Sequence, residues 1–477
     1  MLGRRWHRLI RTWLNYPDGA AIPRRQFFGD QVKHSNDRIQ DPLELFPEGT
    51  ARDAAGRLIL GGCAVTDLLE QFGSPLYVYD EDAVRASCRQ YRLPLAAAYS
   101  NSRVIYAVKA YADLHVLGLV DECGLGVDCV GAGELTAALE AGIDPGMVTL
   151  HGNNKSRAEI ELALDAGIGQ LVADGEDDLS FIGHVAAGRG IRAPVLLRLT
   201  PGISAHTHEY IRTGELDSKF GIPISTGQAR AAAKSALADP GIELLGYHAH
   251  IGSQIFDRQP LIDNARKLVE FAIATERETG YFPAVISPGG GGGVRYTLDD
   301  AGLDPGPLMT AIGSAVTEAL PDARRPLLVV EPGRSLIARA GVALYSVGTI
   351  KSIPDIRTYV AVDGGMADNI RPALYGAEYT VVLANRQPGP PFGTVTVAGR
   401  YCESGDILFK DAQLPRLRRG DILAAATSGA YGMAMASNYN MALRPAVVFV
   451  TDGRSTLTRR RETEADLLGL FPQSGEG

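Results

Sequence analysis

Short apolar, β-branched runs alternate with amphipathic, alanine-rich segments from about residue 76 to residue 340. Such alternation is typical of parallel β/α units, and eight strands are the number that closes a barrel. The sequence therefore predicts a TIM-like α/β barrel of eight β/α units. The predicted strands are Val104–Val108, Gly126–Val130, Met147–Leu150, Gln170–Ala173, Pro194–Leu199, Leu244–His250, Ala284–Ser287 and Leu327–Val330. The clearest predicted helices are Arg157–Ala166, Gly227–Ala238, Leu261–Thr279 and Pro307–Leu320.

Beyond about residue 341 the pattern changes to strands separated by turns, with little helix between them. This pattern predicts a second, mainly antiparallel β domain. We expect residues 57–80 to supply its first part, residues 81–340 to form the barrel, and residues 341–477 to complete the β domain. The predicted strands of the last segment are Val342–Ile350, Thr358–Val362, Thr394–Ala398, Asp421–Ala426 and Ala446–Thr451.

The first 56 residues form a predicted N-terminal extension. Trp6 and Trp13 fall on one helical face and Arg4, Arg8 and Arg11 on the other, the pattern of a basic amphipathic helix, and irregular chain follows it. Such a helix can lie on a membrane surface or direct the protein to an organelle. The favoured interpretation is a segment that docks on this protein or on a partner.

Charge and cysteine usage exclude several classes of protein. The net charge of −8 argues against a general nucleic-acid binder. No stretch approaches the roughly 18 consecutive apolar residues that a membrane span needs. The five cysteines are scattered and lack C-x-x-C spacing, so we expect free thiols in a reducing cytoplasm, with neither disulfides nor a metal site.

Every predicted barrel strand ends in polar, ionisable or glycine residues, and catalytic groups of such barrels lie at these C-terminal ends. Lys109 is the most informative, because a lysine at the end of a buried strand is costly unless it is used. In a partly dry pocket its amine has a lowered pKa and can form a Schiff base; alternatively, its side chain only reaches out to solvent. The strand-end residues are Lys109, Asp128, His151–Asn154, Asp174, Arg198, His248, His250, Gly289–Gly293 and Glu331–Arg334.

The glycine run Gly289–Gly293 directly follows a predicted strand. Its amides can approach an anion closely, so the run suits a monophosphate, with a merely flexible loop as the alternative. It lacks both the helix-opening G-x-G-x-x-G of a dinucleotide site and the Gly-Lys-Ser/Thr of a P-loop. Lys109 for an aldehyde, Glu331 for a pyridine nitrogen and His250 for a ring face complete the requirements of pyridoxal phosphate.

Ten ordered motifs between about residues 57 and 465 resemble those of the diaminopimelate decarboxylases, in the alanine-racemase-like (fold type III) class of pyridoxal-phosphate enzymes. Gly292 departs from the pattern, since members often have a larger apolar residue there. The motifs are Tyr106-Ala-Val-Lys109, His151-Gly-Asn-Asn-Lys-Ser156, Ala205-His-Thr-His208, Ser218-Lys-Phe-Gly221, His250-Ile-Gly-Ser-Gln254, Glu331-Pro-Gly-Arg334, Asp363-Gly-Gly-Met366, Arg371-Pro-Ala-Leu-Tyr-Gly376, Cys402-Glu-Ser-Gly-Asp406 and Ser437-Asn-Tyr-Asn440.

The resemblance implies a homodimeric enzyme that uses pyridoxal 5'-phosphate to convert meso-2,6-diaminopimelate to L-lysine and CO₂, the last step of lysine biosynthesis. It implies Lys109 as the Schiff-base lysine and Cys402 as the proton donor, with Cys402 and Glu403 supplied by the partner subunit. The candidate cofactor-binding residues are Lys109, Asp128, His250, Ser253, Gly289, Gly290, Gly291, Glu331, Gly333, Arg334 and Tyr431. The candidate substrate-binding residues are Arg334, Arg371, Tyr375, Glu403 and Tyr431.

Two alternatives stay open at this point. One is a related decarboxylase acting on ornithine, arginine, carboxynorspermidine or a carrier-bound amino acid. Arg371 disfavours it, because a second carboxylate on the substrate calls for a bidentate cation at its far end. The other is a non-catalytic pyridoxal-phosphate binding protein, which would resemble the barrel alone and leave the motif at Cys402 unexplained.

Overall fold

The structure, a computed structural model, describes residues 41–203, 218–320 and 324–472. The basic helix predicted at the N-terminus and the Ala205–His208 motif lie outside these ranges.

Residues 51–80 contain four short strands and one helix. These are β1 (Ala51–Arg52), β2 (Leu58–Leu60), β3 (Cys63–Ala64), α1 (Val65–Phe72) and β4 (Leu76–Asp80). The first three strands form a small antiparallel sheet of their own. In contrast, β4 pairs with strands from the far end of the chain.

Residues 81–337 alternate between helix and strand. The elements are α2 (Glu81–Ala98), β5 (Ser102–Ala107), α3 (Leu114–Glu122), β6 (Gly126–Cys129), α4 (Ala132–Glu140), β7 (Val148–Leu150), α5 (Arg157–Ala166), β8 (Gln170–Ala173), α6 (Glu176–Gly188), β9 (Ala193–Thr200), β10 (Ile222–Pro223), α7 (Gln228–Ala238), β11 (Ile242–His248), α8 (Arg258–Thr279), β12 (Val285–Gly289), α9 (Pro305–Ala319), β13 (Leu327–Val330) and α10 (Arg334–Ile337). Eight of the strands, all but β10, pair in parallel, and β13 returns to β5 to close the ring. The predicted eight-unit barrel is confirmed.

Side chains on the barrel strands alternate between two apolar layers. Val104 and Tyr106 pack in the large cluster that contains the helices, whereas Ile105 between them belongs to a separate cluster formed only by strands. This follows from the two-residue period of a strand, which sends successive side chains to opposite faces. The inner cluster comprises Ile105, Val172, Leu196, Val285 and Val329. It fills the barrel and leaves the strand ends as the place for polar chemistry.

Helices begin shortly after strand ends, at residues that can cap them. Asp80 accepts a hydrogen bond from the backbone N–H of Ala83 at the start of α2, and Asp113 does the same for Val116 in α3. Each such cap stabilises the helix start by about 1 kcal/mol. These two caps fix where the loops after β4 and β5 give way to helices, whereas α4, α6 and α7 begin without a side-chain cap.

The remaining residues form mainly antiparallel sheet. The elements are β14 (Gly341–Ile353), β15 (Arg357–Val362), α11 (Arg371–Tyr375), β16 (Val381–Leu383), β17 (Pro391–Ala398), β18 (Ile407–Pro415), β19 (Ile422–Ala425), β20 (Ala446–Thr451), β21 (Arg454–Arg459) and α12 (Glu464–Leu468). β4 lies between β14, to which it is antiparallel, and β20, to which it is parallel. The sequence prediction lacked β16, β18 and β21.

Within the described ranges, no helix has both the length and the apolar character needed to cross a membrane.

Candidate active site

Lys109 lies at the mouth of the barrel. It sits in a short 3₁₀ turn, Val108–Ala110, directly after β5, with buried neighbours on both sides and its own side chain exposed. Surrounding protein removes hydration and lowers the pKa of the amine, but Tyr431, Asp128 and Glu331 outweigh this and the pKa is raised overall. The lowered pKa expected from the sequence is therefore wrong for this arrangement, because Tyr431 and the acidic groups of Asp128 and Glu331 lie near the amine.

Glu331 directly follows β13 and is buried. His248 Nε2 lies 3.0 Å from Glu331 Oε2, the Ser287 hydroxyl donates to Oε1 at 2.7 Å, and His151 Nε2 lies 3.7 Å from Oε2. Burial raises the pKa of Glu331, but the two imidazoles and these hydrogen bonds more than offset it, so the pKa is lowered. Glu331 is thus held as a carboxylate.

The same three groups also have the donor set of a metal site. The ligating atoms of His151, His248 and Glu331 lie within 4.8 Å of one another. His248 Nε2 and Glu331 Oε2, which are among these atoms, are already hydrogen-bonded to each other.

Asp128 is the second buried carboxylate at the mouth. The register of β6 on β5 places it level with Ala107, two residues before Lys109. Burial raises its pKa to about 8, and the charges of Glu331 and Glu134 add to this effect against the opposing effect of Lys109. Asp128 and Glu331 therefore differ in protonation although both lie near one amine, a separation typical of functional sites.

The glycine loop after β12 lies against the neighbouring strand ends. Gly289 and Gly291 have φ of +70° and +119°, which side-chain-bearing residues rarely adopt. A Cβ on Gly290 would come within 2.1 Å of the Glu331 carbonyl oxygen. The Gly290 N–H points at His250 Nδ1 at 3.4 Å, and burial together with the nearby charge of Lys109 lowers the pKa of His250 well below its usual value.

Two arginines meet around a tyrosine that the sequence prediction missed. Arg334 Nη1 donates to the Tyr296 hydroxyl at 3.1 Å, and the Arg371 guanidinium lies 4.6 Å from the centre of the Tyr296 ring. Arg371 also hydrogen-bonds the hydroxyl of Tyr379, a second missed residue. Both tyrosines lie in loops, where strand and helix periodicity gives no signal. The one sequence signal for Tyr296 is its position three residues after the glycine run.

Other predicted residues join this group. Arg334 Nε donates to Ser253 Oγ at 3.2 Å, which ties the predicted phosphate serine to the arginine pair. The Arg334 guanidinium also lies 4.7 Å from the centre of the Tyr431 ring, and the Tyr431 N–H donates to the Ala110 carbonyl beside Lys109 at 2.8 Å. Tyr375 ends α11 and is half-buried.

Gly333 has a packing role in the structure. A Cβ there would lie 2.9 Å from the Ala107 Cβ at the end of β5, so a larger residue would push against the turn that carries Lys109.

Cys402 and Glu403 lie elsewhere in the chain. Both are exposed, and Glu403 hydrogen-bonds the hydroxyl of Tyr439. Cys402 lines a cleft with residues such as Asp363, Ala367 and Arg461. Of the described residues that line this cleft, none is a barrel residue of the predicted site.

The barrel mouth fits pyridoxal phosphate. It offers an amine for the aldehyde, an ionised carboxylate for the ring nitrogen, and a glycine loop whose backbone a phosphate can approach closely. Within the described chain, His151 Nε2 and His248 Nδ1 are buried without a hydrogen-bond partner, so polar capacity remains beside Glu331.

Comparison with known proteins agrees with this geometry. Residues 81–338 match the family described as "Pyridoxal-dependent decarboxylase, pyridoxal binding domain". The diaminopimelate decarboxylase of Halalkalibacterium halodurans is 43% identical over 429 residues, covering 89% of this chain and 98% of the relative. The enzyme of the same name from Bacillus subtilis is 43% identical over 432 residues, with 89% and 98% covered.

Solved structures show the same similarity. Diaminopimelate decarboxylase from M. jannaschii in complex with L-lysine superposes with a TM-score of 0.83 at 33% identity, covering 90% of this chain and 99% of that one. The Helicobacter pylori enzyme complexed with L-lysine gives a TM-score of 0.78 at 32% identity, covering 85% and 98%.

Proposed function

This chain belongs to the diaminopimelate decarboxylases among the pyridoxal-dependent decarboxylases, and from that premise we propose how its residues perform the reaction. It is a decarboxylase that converts meso-2,6-diaminopimelate to L-lysine and CO₂. The observation that carries the proposal is the grouping at one barrel mouth of Lys109, an ionised Glu331 and the arginine pair Arg334 and Arg371.

Pyridoxal 5'-phosphate, when bound, supplies an electron sink for the pair of electrons released with CO₂. Lys109 would hold its aldehyde carbon, and Glu331 would keep a positive charge on the pyridine nitrogen. His250 would lie beside the ring, while Ser253 and the backbone of Gly289–Gly291 would hold the phosphate. Asp128, Gly333 and Tyr431 complete the wall around Lys109.

Substrate binding is assigned to the arginine pair. A guanidinium binds a carboxylate through two parallel hydrogen bonds, and diaminopimelate has a second carboxylate that ornithine and lysine lack. Arg371 is buried and its guanidinium is oriented by Tyr296 and Tyr379. Arg334, Tyr375 and Tyr431 line the same end. Fixing the distal end orients the bond that breaks, an effect that contributes on the order of 7–11 kcal/mol in favourable cases.

Proton return to the substrate Cα is assigned to the Cys402 thiol of a second copy, with Glu403 of that copy on the distal ammonium. Support comes from the exposure of both residues and from the cleft beside Cys402, which none of the barrel site residues lines. The functional unit proposed is a homodimer in which each site uses both chains.

The proposed domain bounds are residues 57–80 and 341–477 for the β domain and residues 81–340 for the barrel. All five cysteines are free, which supports the predicted cytoplasmic location.

A CO₂-release assay tests the assignment. The purified protein is assayed with meso-diaminopimelate, L-ornithine and L-arginine, with and without added pyridoxal phosphate. We expect CO₂ release with meso-diaminopimelate, dependence on the cofactor, and L-lysine as the product. Faster release from ornithine or arginine would contradict the substrate, and bound cofactor without any CO₂ release would contradict the enzyme.

A further inference from the structure

Two of the cysteines face each other between barrel helices. Cys88 lies within α2 and is fully buried, while Cys123 directly follows α3 and is half-buried. Cys123 packs on the apolar cluster that contains Cys88, and the two thiols lie close enough for each to shift the pKa of the other. Neither cysteine has a part in the decarboxylation proposed above.

Contacts on both sides hold this pair in register. Arg85, three residues before Cys88, forms an ion pair with Glu122, directly before Cys123, with 2.6 Å between Nη2 and Oε2. Arg92, four residues after Cys88, lies beside Gly124, where a Cβ would be 4.0 Å from Arg92 Nη1. Arg85 and Arg92, about one helical turn before and after Cys88, thus lie next to Glu122 and Gly124, which flank Cys123. The packing of α2 on α3 therefore fixes the thiols opposite each other.

The surroundings divide the roles between the two sulfurs. The hydrogen bond from Cys88 and the guanidinium groups of Arg85 and Arg89 lower the pKa of Cys123 to about 6, although partial burial opposes them. The pKa of Cys88 is raised by its hydrogen bond to Cys123 and by burial. A partly exposed thiolate beside a protonated second thiol is the arrangement of redox-sensing cysteines.

We propose that Cys88 and Cys123 form a reversible dithiol–disulfide pair that hydroperoxides oxidise. The Cys123 thiolate attacks the terminal oxygen of ROOH, the O–O bond breaks, and RO⁻ takes a proton and leaves as the alcohol. Cys123 then carries a sulfenic acid. The Cys88 sulfur attacks the Cys123 sulfur and displaces the hydroxyl of the sulfenic acid. That hydroxyl takes the Cys88 proton and leaves as water. Two thiols lose two electrons in all, one hydroperoxide becomes alcohol and water, and a dithiol reductant restores the thiols.

Peptide mapping tests the pair in the cofactor-loaded protein. The protein is treated with hydrogen peroxide, free thiols are blocked with iodoacetamide, and the chain is cut with trypsin and Asp-N. Cleavage before Asp121 and Asp128 separates Cys123 from Cys129. We expect a disulfide between the peptides Ala86–Arg89 and Asp121–Val127, which dithiothreitol removes. Recovery of Cys88 and Cys123 both alkylated after peroxide treatment overturns the proposal.

Variants separate the two steps. In Cys88→Ser, dimedone should label Cys123, because its sulfenic acid has no resolving thiol; Cys123→Ser should give neither label nor disulfide. Cys129→Ser removes another buried cysteine and should leave the disulfide unchanged. If dimedone labels Cys123 equally in the unsubstituted protein and in Cys88→Ser, Cys88 does not resolve the sulfenic acid. The map of the unsubstituted protein decides the matter even if a variant fails to fold.

Discussion

At the mouth of the barrel, Lys109, Asp128 and Glu331 lie within electrostatic reach of one another, whereas Cys402 and Glu403 lie exposed in the β domain beside a cleft that none of those three lines. The groups proposed to bind the cofactor are thus grouped within one chain, whereas the proposed proton donor lines a separate cleft. Affinity for the cofactor and the capacity for turnover therefore need not appear together.

The largest effect should come from Lys109→Ala. Without the amine, we expect the visible absorbance of bound cofactor to disappear and kcat/KM to fall at least about 10³-fold, the scale on which loss of a covalent catalytic group acts. Lys109→Arg is the matched variant, because it keeps the charge near Asp128 and Glu331 but not the primary amine. Substantial turnover in either variant would show that the barrel mouth is not the reacting site.

Mixing two inactive proteins tests the contrast directly. If Cys402 serves the neighbouring chain, dimers reassembled from equal amounts of Lys109→Ala and Cys402→Ala contain one fully intact site in each mixed dimer. Random pairing then restores about a quarter of the unsubstituted activity. Each variant alone, taken through the same dissociation and reassembly, is the control. No recovery, with mixed dimers verified by mass, would place both residues of a site on one chain.

The buried carboxylate Asp128 should make stability depend on pH. Its pKa of about 8 exceeds its ordinary value of about 3.9. The stabilisation linked to its protonation is therefore complete below about pH 4 and is lost as the pH rises through about 8. Asp128→Asn should remove a decline of at most about 1.4 kcal/mol per pH unit in the free energy of unfolding of the cofactor-free protein. Urea unfolding at several pH values measures it, and parallel curves for the two proteins would refute the assignment.

The smallest effect is expected at Gly292, where the family resemblance leads us to expect a larger apolar residue. A Cβ there would meet Leu303 Cδ2 at 3.4 Å, an ordinary contact, and φ lies outside the left-handed region. Gly292→Ala should therefore raise the free energy of unfolding by about 0.4–1 kcal/mol through the unfolded chain. Gly290→Ala is the matched control, since its Cβ would strike the Glu331 carbonyl. Thermal unfolding should separate the two; an equal loss of stability would contradict the geometry.

Periodicity alone predicted most of the fold, because the barrel strands are buried and apolar and amphipathic helices separate them. Two of the strands it missed are rich in polar residues. β18 contains Lys410 and Asp411, and five of the six residues of β21 are polar, so their pairing comes from neighbouring strands and not from an apolar run. β16 is apolar but only three residues long.

The sequence predicted those site residues that lie at strand ends. The C-terminal ends of barrel strands meet at one mouth, so the alternation of strands and helices was enough to group Lys109, Asp128 and Glu331. Tyr296 and Tyr379 did not, since loops deliver them. The direction of the Lys109 pKa shift was also missed. It depends on how burial balances against three neighbouring groups, and their positions around the amine follow only from the folded chain.

The pairing of β4 sets an order of events during synthesis. This strand is buried along its length between residues 341–344 and residues 446–450, yet it leaves the ribosome before the entire barrel. The barrel can complete its own strand pairing while β4 still has two open edges. A chain interrupted before residue 446 exposes the backbone of Leu76–Asp80 on one side to any other extended chain, a known route to aggregation. Completion of the C-terminal sheet therefore protects the newly synthesised chain from aggregation through the open edges of β4.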